Sequence, residues 1–502
     1  MKSKSHTQSL KIRRHIGSRP ALNFIVKGYK LMLHLKSYLV YASRSKPVSL
    51  SKNTIQEYNR SRTVHQYKYI CHAPFSNLFF GYDGKIGVCC YNRLNIFGTY
   101  PDSSIEAAWN GPGMKDLRNK IKNYDLSAGC YCCQVQWVEK AYTTILARNY
   151  DYFSPDLRYP TSMEFELSNR CNLECIMCSE ENSSTIAHKK LGQKERLSPY
   201  DDGFVAQLKP FIPHLRSTKF LGGEPLLIPV YYKIWKLIIE LNPECEIVVQ
   251  TNGTVLNDNI KALLEQGNFS ISISIDSIVK ETYEGIRKNA RFDEVFSNLQ
   301  YFIDLGKRKN RFVGIVCCFI QQNWKEIPDF IRYFNKKQVP VSFNRVWAPP
   351  QCSIWESSFA LTSEILGYYS QITIEARTHT EKHNVSAFQD LINLVRNWNT
   401  QEKNKHQREY KHLETPVEKL EALVFSHVFE AGDTSDLSEK DKRIMQDKFE
   451  TAIEKFRQHT NYKVMLVKAL EIPSEILQME ILNNTAQRLE QQLRDIIENE
   501  EN

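Results

Sequence analysis

Between about residues 160 and 346 the chain alternates β-rich runs with helical stretches, and no other feature restricts its fold so tightly. The β-rich runs are MEFELS (163–168), TKFL (218–221), EIVVQ (246–250), SISISI (270–275), FVGIVCCFI (312–320) and VSFNRVW (341–347). Stretches such as YYKIWKLIIELN (231–242) and KEIPDFIRYFNKK (325–337) lie between most of them and carry helical periodicity. Strands separated by helix-length segments pair in parallel through right-handed crossovers. An α/β barrel, complete or partial, is the expected closure, and its ligands gather at the C-terminal ends of the strands.

The flanks differ. Residues 66–150 are rich in cysteine, aromatic and turn residues, and YDGKIGV (82–88) predicts a hairpin around Asp83-Gly84. Beyond 350 the strand signal fades into charged helical stretches at 356–400 and 410–498, with a break near Gly432–Asp436. Residues 1–65 hold 14 Lys or Arg against the single acidic Glu57, a surplus of +13 where the whole chain carries +9. Within this basic arm, residues 21–42 read as an amphipathic helix suited to an anionic surface. The expected organisation is therefore a basic arm (1–65), a Cys-rich domain (66–150), an α/β core (151–350) and a helical extension (351–502). No apolar run is long enough for a membrane span, and the first 20 residues lack the apolar core of a signal peptide. With 13 cysteines, several at metal-ligand spacing, reduced thiols and a cytoplasmic location are expected rather than a disulfide framework.

The first β-rich run ends in SNRCNLECIMC (168–178), where Cys171, Cys175 and Cys178 are spaced C-x3-C-x2-C. At this cysteine content such a triplet arises by accident in roughly one chain in ~100 of this length. Three thiolates cannot close a tetrahedral zinc site or complete a [4Fe–4S] cluster. A cubane held by three cysteines keeps one iron open, which an amine and a carboxylate together can chelate.

With these residues in view, the chain resembles the radical SAM superfamily. The resemblance implies a partial (β/α)6 barrel, a catalytic [4Fe–4S] cluster on Cys171, Cys175 and Cys178, and S-adenosylmethionine as the molecule chelated. It carries further roles to matching positions. In LGGEPLL (221–227), Gly222, Gly223, Glu224 and Pro225 match the motif that holds the methionine amine, and Glu224 can accept from an ammonium. Asn252 lies in QTNGT (250–254). Ser274 and Asp276 in SISIDS (272–277) match polar residues near the ribose, and Arg287 matches an arginine that meets the cofactor carboxylate. Asp276 also suits a cap on the following helix. Asn323 matches a frequent asparagine of unassigned role. Met177 stands where the family usually has an aromatic residue whose backbone meets the adenine.

A second set of cysteines lies upstream. Cys130 and Cys133 form a C-x2-C knuckle, and Cys71 and Cys89 flank the hairpin. CHAPF (71–75), DGKIGVCC (83–90), AAWNGPGMKDLR (107–118) and CYCC (130–133) resemble the auxiliary-cluster domain called SPASM or twitch, here ahead of the barrel rather than behind it. The resemblance makes Cys71, Cys89, Cys130 and Cys133 ligands of an auxiliary Fe–S cluster, with a structural zinc as the alternative. Cys90 and Cys132 are then extra, and Trp109 is expected to pack. Cys245, Cys317, Cys318 and Cys352 have no ligand spacing. The two in the strand, Cys317 and Cys318, are expected in the core, with hydrogen donation to a radical as a lesser alternative.

The resemblance implies reductive SAM cleavage to a 5′-deoxyadenosyl radical, hydrogen abstraction from a peptide, sugar or small metabolite, and a ferredoxin or flavodoxin as electron donor. The competing class is a non-catalytic Fe–S or zinc scaffold that binds nucleic acid or a protein partner.

Overall fold

Among the described residues, one sheet of nine strands carries the structure. In chain order the strands are β1 (Asn77–Phe80), β2 (Lys85–Gly87), β3 (Gly98–Thr99), β4 (Ser162–Phe165), β5 (Ser217–Phe220), β6 (Glu246–Thr251), β7 (Phe269–Ser274), β8 (Val313–Phe319) and β9 (Val341–Arg345). The computed structural model describes residues 50, 52–62, 69–138, 142, 145–153, 157–192, 198–355, 357–429, 439–459, 461–471 and 481. The basic arm up to residue 49, with its amphipathic helix, and the break at Gly432–Asp436 lie outside them.

The six expected strands are β4 to β9, and each pairs in parallel with the next. Helices Pro229–Leu241, Asp258–Gln266, Phe292–Lys309 and Ile327–Lys337 fill the crossovers after β5 to β8. Among the described residues the sheet does not close, since β3 and β9 each have a single neighbour. This is the open α/β barrel expected from the alternation.

The Cys-rich segment contributes something its composition does not announce. β1 pairs in parallel with β4, so the cysteine-rich region adds a seventh parallel strand to the barrel sheet. β2 returns antiparallel on β1 through the predicted Asp83-Gly84 turn. Gly84 sits at φ 86, and a Cβ there would lie 2.5 Å from the Tyr100 carbonyl oxygen, so only glycine fits. Residues Pro47–Gln401 accordingly form one compact unit.

Packing follows the strand register. Phe80 of β1, Phe165 of β4 and Phe220 of β5 are register partners, and their rings stack across neighbouring strands at 5.4 and 4.9 Å between centroids. Trp235 meets Phe220 edge-on from the Pro229–Leu241 helix. Trp109 is packed as expected: it is fully buried, its indole N–H donates to the Leu157 carbonyl at 3.2 Å, and Arg118 lies over its face.

The first part of the helical extension belongs to the same unit. Helix Phe359–Tyr369 and the beginning of helix His379–Glu414 bury Ile365, Tyr369, Phe388, Leu391 and Val395 in the core. Asn384 accepts from the Val341 N–H of β9 at 2.8 Å and donates to the Val339 carbonyl at 3.0 Å. A second unit, Met1–Lys46 with Glu402–Asn502, has its own core among the described residues. Helices Val417–Phe429, Glu439–Phe456 and Tyr462–Glu471 bury Leu420, Val424, Met445 and Met465 there. Among the described residues no helix is long and apolar enough to cross a membrane.

Phe165 stands at the centre of the aromatic ladder with 1% of its surface exposed. Phe165→Ala is expected to destabilise the Pro47–Gln401 unit by about 3–5 kcal/mol, from lost burial and the cavity left behind. The midpoint of chemical unfolding followed by tryptophan fluorescence measures this.

Candidate functional site

The cysteine triplet occupies the loop that leaves β4. Both ends of this loop are fixed by backbone contacts. Glu224 N–H donates to the Arg170 carbonyl at 2.8 Å, Glu174 N–H to the Lys288 carbonyl at 3.0 Å, and Ile176 N–H to the Ile286 carbonyl at 2.9 Å. Cys171 N–H donates to the Ser184 hydroxyl at 3.1 Å, at the start of helix Ser184–Leu191. Burial pushes the Cys171 thiol up to about 11 and Cys178 to about 12, and it raises Cys175 as well. The charge of Cys175 raises Cys171, and the charges of both raise Cys178, so the three sulfurs share one neighbourhood. Thiols in such a place stay protonated unless a cationic group replaces the proton, which is what an iron cluster does.

Gly222 and Gly223 follow β5 with φ values of 81 and 41. A Cβ on Gly223 would stand 2.1 Å from the Arg170 carbonyl oxygen, and one on Gly222 2.7 Å from that of Ser168. The two glycines are therefore where the β5 loop lies directly on the cysteine loop. Glu224 is engaged by the protein itself. Its carboxylate is fully buried and accepts from the Leu226 N–H at 3.0 Å, the Thr251 hydroxyl at 2.7 Å and the Asn252 N–H at 2.6 Å. A carboxylate so engaged has no exposed face for an ammonium; it ties the end of β6 to the end of β5. Pro225 opens the short 3-10 turn Pro225–Leu227 beside it. Asn252 is buried too, donating to Asn172 Oδ1 at 3.0 Å and lying 4.0 Å from Cys171 Sγ.

The ends of β7 and β8 are joined in a similar manner. Asp276 is buried and accepts from the Cys318 N–H at 2.7 Å. Its second oxygen lies 2.8 Å from Arg287 Nε in an ion pair that is off the line of a hydrogen bond. Asp276 caps no helix: helix Lys280–Ile286 starts at Val279 without a side-chain cap. Of the pair expected near a ribose, Asp276 is buried and Ser274 is the half-buried one at the end of β7. Arg287 Nη1 stands 3.9 Å from Cys175 Sγ, so the guanidinium bridges Asp276 and the triplet. Asn323, whose role the sequence left blank, donates to the Asp276 and Cys318 carbonyls at 2.8 Å each and accepts from the Ile320 N–H. Met177 packs in a small apolar cluster with Ile286, Ile320, Val346 and Cys352. Cys317 is core, as expected, and so are Cys245 and Cys352. Cys318 is different: it is half-buried, packs against Ile176 and Met177, and feels the charges of Cys175 and Cys178.

The upstream cysteines converge on a second place. Cys71, Cys89, Cys130 and Cys133 line one small cavity, otherwise walled mainly by apolar side chains such as Val88, Leu126 and Trp137. Burial pushes Cys71 and Cys130 up to about 12 and raises Cys89 and Cys133 well above the usual thiol range. Cys132 shares the cavity wall, whereas Cys90 does not and lies in the field of Glu164 and Lys219. Among the described residues no three His, Cys, Asp or Glu side chains converge as a single metal ion would require. Four sulfurs ringing a space suit a cluster, in which each iron takes its own thiolate, better than one zinc ion.

Several surrounding residues were missed from the sequence. Asn92 Nδ2 lies 3.7 Å from Cys130 Sγ, and Arg62 pairs with Asp151 beside Cys71. Glu164 and Glu166 reach back from the barrel to the Cys89–Arg93 loop: Glu164 accepts the Cys90 N–H, and Glu166 takes both Arg93 amino groups at 2.9 and 2.7 Å. The alternation in MEFELS places these two carboxylates on one face of a strand otherwise suited to burial, which was the available signal.

Comparison with known proteins gives two family matches. The model of the radical SAM superfamily matches residues 165–334, and that of the SPASM iron–sulfur cluster-binding domain matches residues 71–134. A GTP 3′,8-cyclase of Clostridium botulinum (strain Okra / Type B1) is 22% identical over 211 residues, 42% of this chain and 64% of the relative. One from Listeria monocytogenes serovar 1/2a is 27% identical over 183 residues, 36% of this chain and 52% of the relative. The chain thus spans less than two thirds of the length of these relatives. Among solved structures, anSMEcpe with bound AdoMet is 21% identical with a TM-score of 0.32, covering 41% of this chain and 57% of that one. Streptococcus suis SuiB bound to precursor peptide SuiA is 14% identical with a TM-score of 0.32, covering 60% of each chain.

Gly223 and Gly285 make a paired test of this geometry. Gly223→Ala forces a Cβ into the Arg170 carbonyl at positive φ, and about 1–3 kcal/mol of strain should displace the cysteine loop. Iron retained after anaerobic reconstitution is expected to fall. Gly285 lies inside helix Lys280–Ile286 with nothing within 4 Å of an added Cβ. Gly285→Ala should leave iron content unchanged and stabilise by about 0.5–1 kcal/mol in thermal unfolding.

Proposed function

From a chain that carries a radical SAM domain with a SPASM iron–sulfur domain ahead of it, we propose an enzyme that cleaves S-adenosylmethionine reductively and abstracts hydrogen from its substrate. The radical SAM domain implies a [4Fe–4S] cluster and S-adenosylmethionine, and the SPASM domain implies auxiliary Fe–S binding. The observation that carries the proposal is the gathering of three half-buried thiols, Cys171, Cys175 and Cys178, on a loop pinned at the C-terminal ends of parallel strands. When bound, a cubane with one iron free of protein ligands supplies the electron that breaks the sulfonium bond and yields a 5′-deoxyadenosyl radical.

The chain's own residues hold and orient. Cys171, Cys175 and Cys178 would carry the catalytic cluster. Backbone groups around Gly222, Gly223 and Pro225 would take the methionine amine, while the Glu224 carboxylate keeps that loop and Asn252 in place. Arg287, oriented by Asp276, would meet the methionine carboxylate. Ser274 would serve the ribose and the backbone of Met177 the adenine. Cys71, Cys89, Cys130 and Cys133 would close an auxiliary cluster with no open iron.

We assign the electron supply to a ferredoxin or flavodoxin and the location, from the reduced thiols, to the cytoplasm. The substrate is a peptide, a sugar or a small metabolite; the name of the related cyclases makes GTP the first metabolite to offer. The basic arm would add contact with an anionic surface.

Anaerobically reconstituted protein incubated with S-adenosylmethionine and dithionite is expected to release 5′-deoxyadenosine. Cys171→Ala, Cys175→Ala and Cys178→Ala should each reduce that release at least ~100-fold, the loss expected when a group acting as part of a unit is removed. A fully iron-loaded protein that releases none would instead favour a scaffold, and nucleic-acid affinity of the same sample would mark its type. Iron and zinc content of Cys130→Ala and Cys133→Ala reports on the auxiliary site.

A further inference from the structure

Glu164 presents an unusual situation. It sits on β4, a barrel strand, in register with Phe79 of β1 and Lys219 of β5. Only 5% of its surface is exposed. Its two oxygens accept from neutral donors, the Tyr150 hydroxyl at 2.9 Å and the Cys90 N–H at 3.0 Å. Among the described residues no Lys, Arg or His lies within ion-pair distance of it, whereas Glu166, two residues on, is paired bidentately with Arg93. A buried carboxylate without a counter-ion is costly and persists where another requirement holds it.

What surrounds Glu164 indicates that requirement. Tyr150 is fully buried and lines the cavity of the four upstream cysteines. Cys90 follows Cys89, which lines the same cavity. Through the Cys90 N–H, Glu164 holds the backbone directly beside one of the four cysteines. Lys219, the register partner of Glu164 on β5, brings the opposite charge beside it. Both charges come from barrel strands.

We propose that Glu164 is a positioning and tuning residue for the auxiliary cluster: one oxygen fixes the Cys89–Cys90 loop, and its fixed negative charge holds the cluster at a lower reduction potential. The inference rests on the assignment of Cys71, Cys89, Cys130 and Cys133 as ligands made above. Reduction adds one electron to a group already surrounded by thiolates. A carboxylate beside one of those thiolates, in a poorly polarisable surrounding, opposes that electron, and a cation nearby favours it. Hydrogen bonds to ligand sulfurs, such as that from Asn92 to Cys130, act together with these charges. The barrel strand thereby sets a property of a cluster bound mostly by the preceding domain.

The test uses the full chain carrying both clusters. Reduction potentials are read by anaerobic redox titration followed by electron paramagnetic resonance, with iron content as a control. Glu164→Gln keeps shape and hydrogen-bond acceptance at one oxygen while removing the charge. It is expected to shift the auxiliary potential upward, with full iron content and an unmoved catalytic-cluster potential, and Glu164→Asp should bring it part of the way back. Lys219→Gln should shift the auxiliary potential downward. An auxiliary potential unchanged in Glu164→Gln at full iron content overturns the proposal. If Glu164→Gln loses the auxiliary iron, Lys219→Gln decides: a downward shift supports the tuning, no shift overturns it. A parent protein whose upstream cysteines bind no iron fails differently, since it removes the ligand assignment itself.

Discussion

The parallel pairing of β1 with β4 is the contact on which the remaining architecture depends. Four consecutive register pairs, from Asn77 with Ser162 to Phe80 with Phe165, join the cysteine-rich segment to the first barrel strand. A parallel pair buried on both faces tolerates no slip, because a shift of one residue would turn Phe80 and Phe165 away from each other and from Phe220. That register also places Phe79 beside Glu164, and Arg93 stacks over Phe79 while holding Glu166. The two groups of cysteines are thus attached to one sheet.

The strand ends are fixed by buried polar groups rather than by the cysteines. Glu224 binds the β5 end to the β6 end, and Asp276 with Asn323 binds the β7 end to the β8 end. Glu224 and Asn323 are each satisfied by three protein partners, and Asp276 by the Cys318 N–H together with its ion pair to Arg287, which turns a desolvation cost into rigidity. Arg287 connects the second of these knots to the triplet through its contact with Cys175. The loop is therefore shaped by its scaffold, and the bound groups meet a site whose geometry is already set.

The alternation of strands and helices made β4 to β9 legible, because helix-length spacers leave parallel pairing as the main solution. The triplet and the glycine pair were legible for a different reason, as spacing and residue type state a chemistry directly. The β1–β4 pairing was not, since which strand sits at a sheet edge depends on contacts distant in sequence. Glu224 and Asp276 were recognised as important, but their partners within the protein were not legible. A carboxylate in a sequence looks the same whether it faces a ligand or three backbone and hydroxyl donors. Cys317 and Cys318 show the same limit: adjacent in a strand, they point to opposite faces, one into the core and one toward the triplet.

An open sheet leaves two margins at which a second molecule could add a strand. Here one margin is β3, only two residues long, Gly98 and Thr99. At the other, Asn384 occupies the Val341 N–H from a helix that lies far along the chain. Short edges and occupied edge donors both discourage strand addition between molecules. The asparagine that anchors the helical extension thus also has a colloidal consequence: it helps keep an unclosed barrel from joining its own copies.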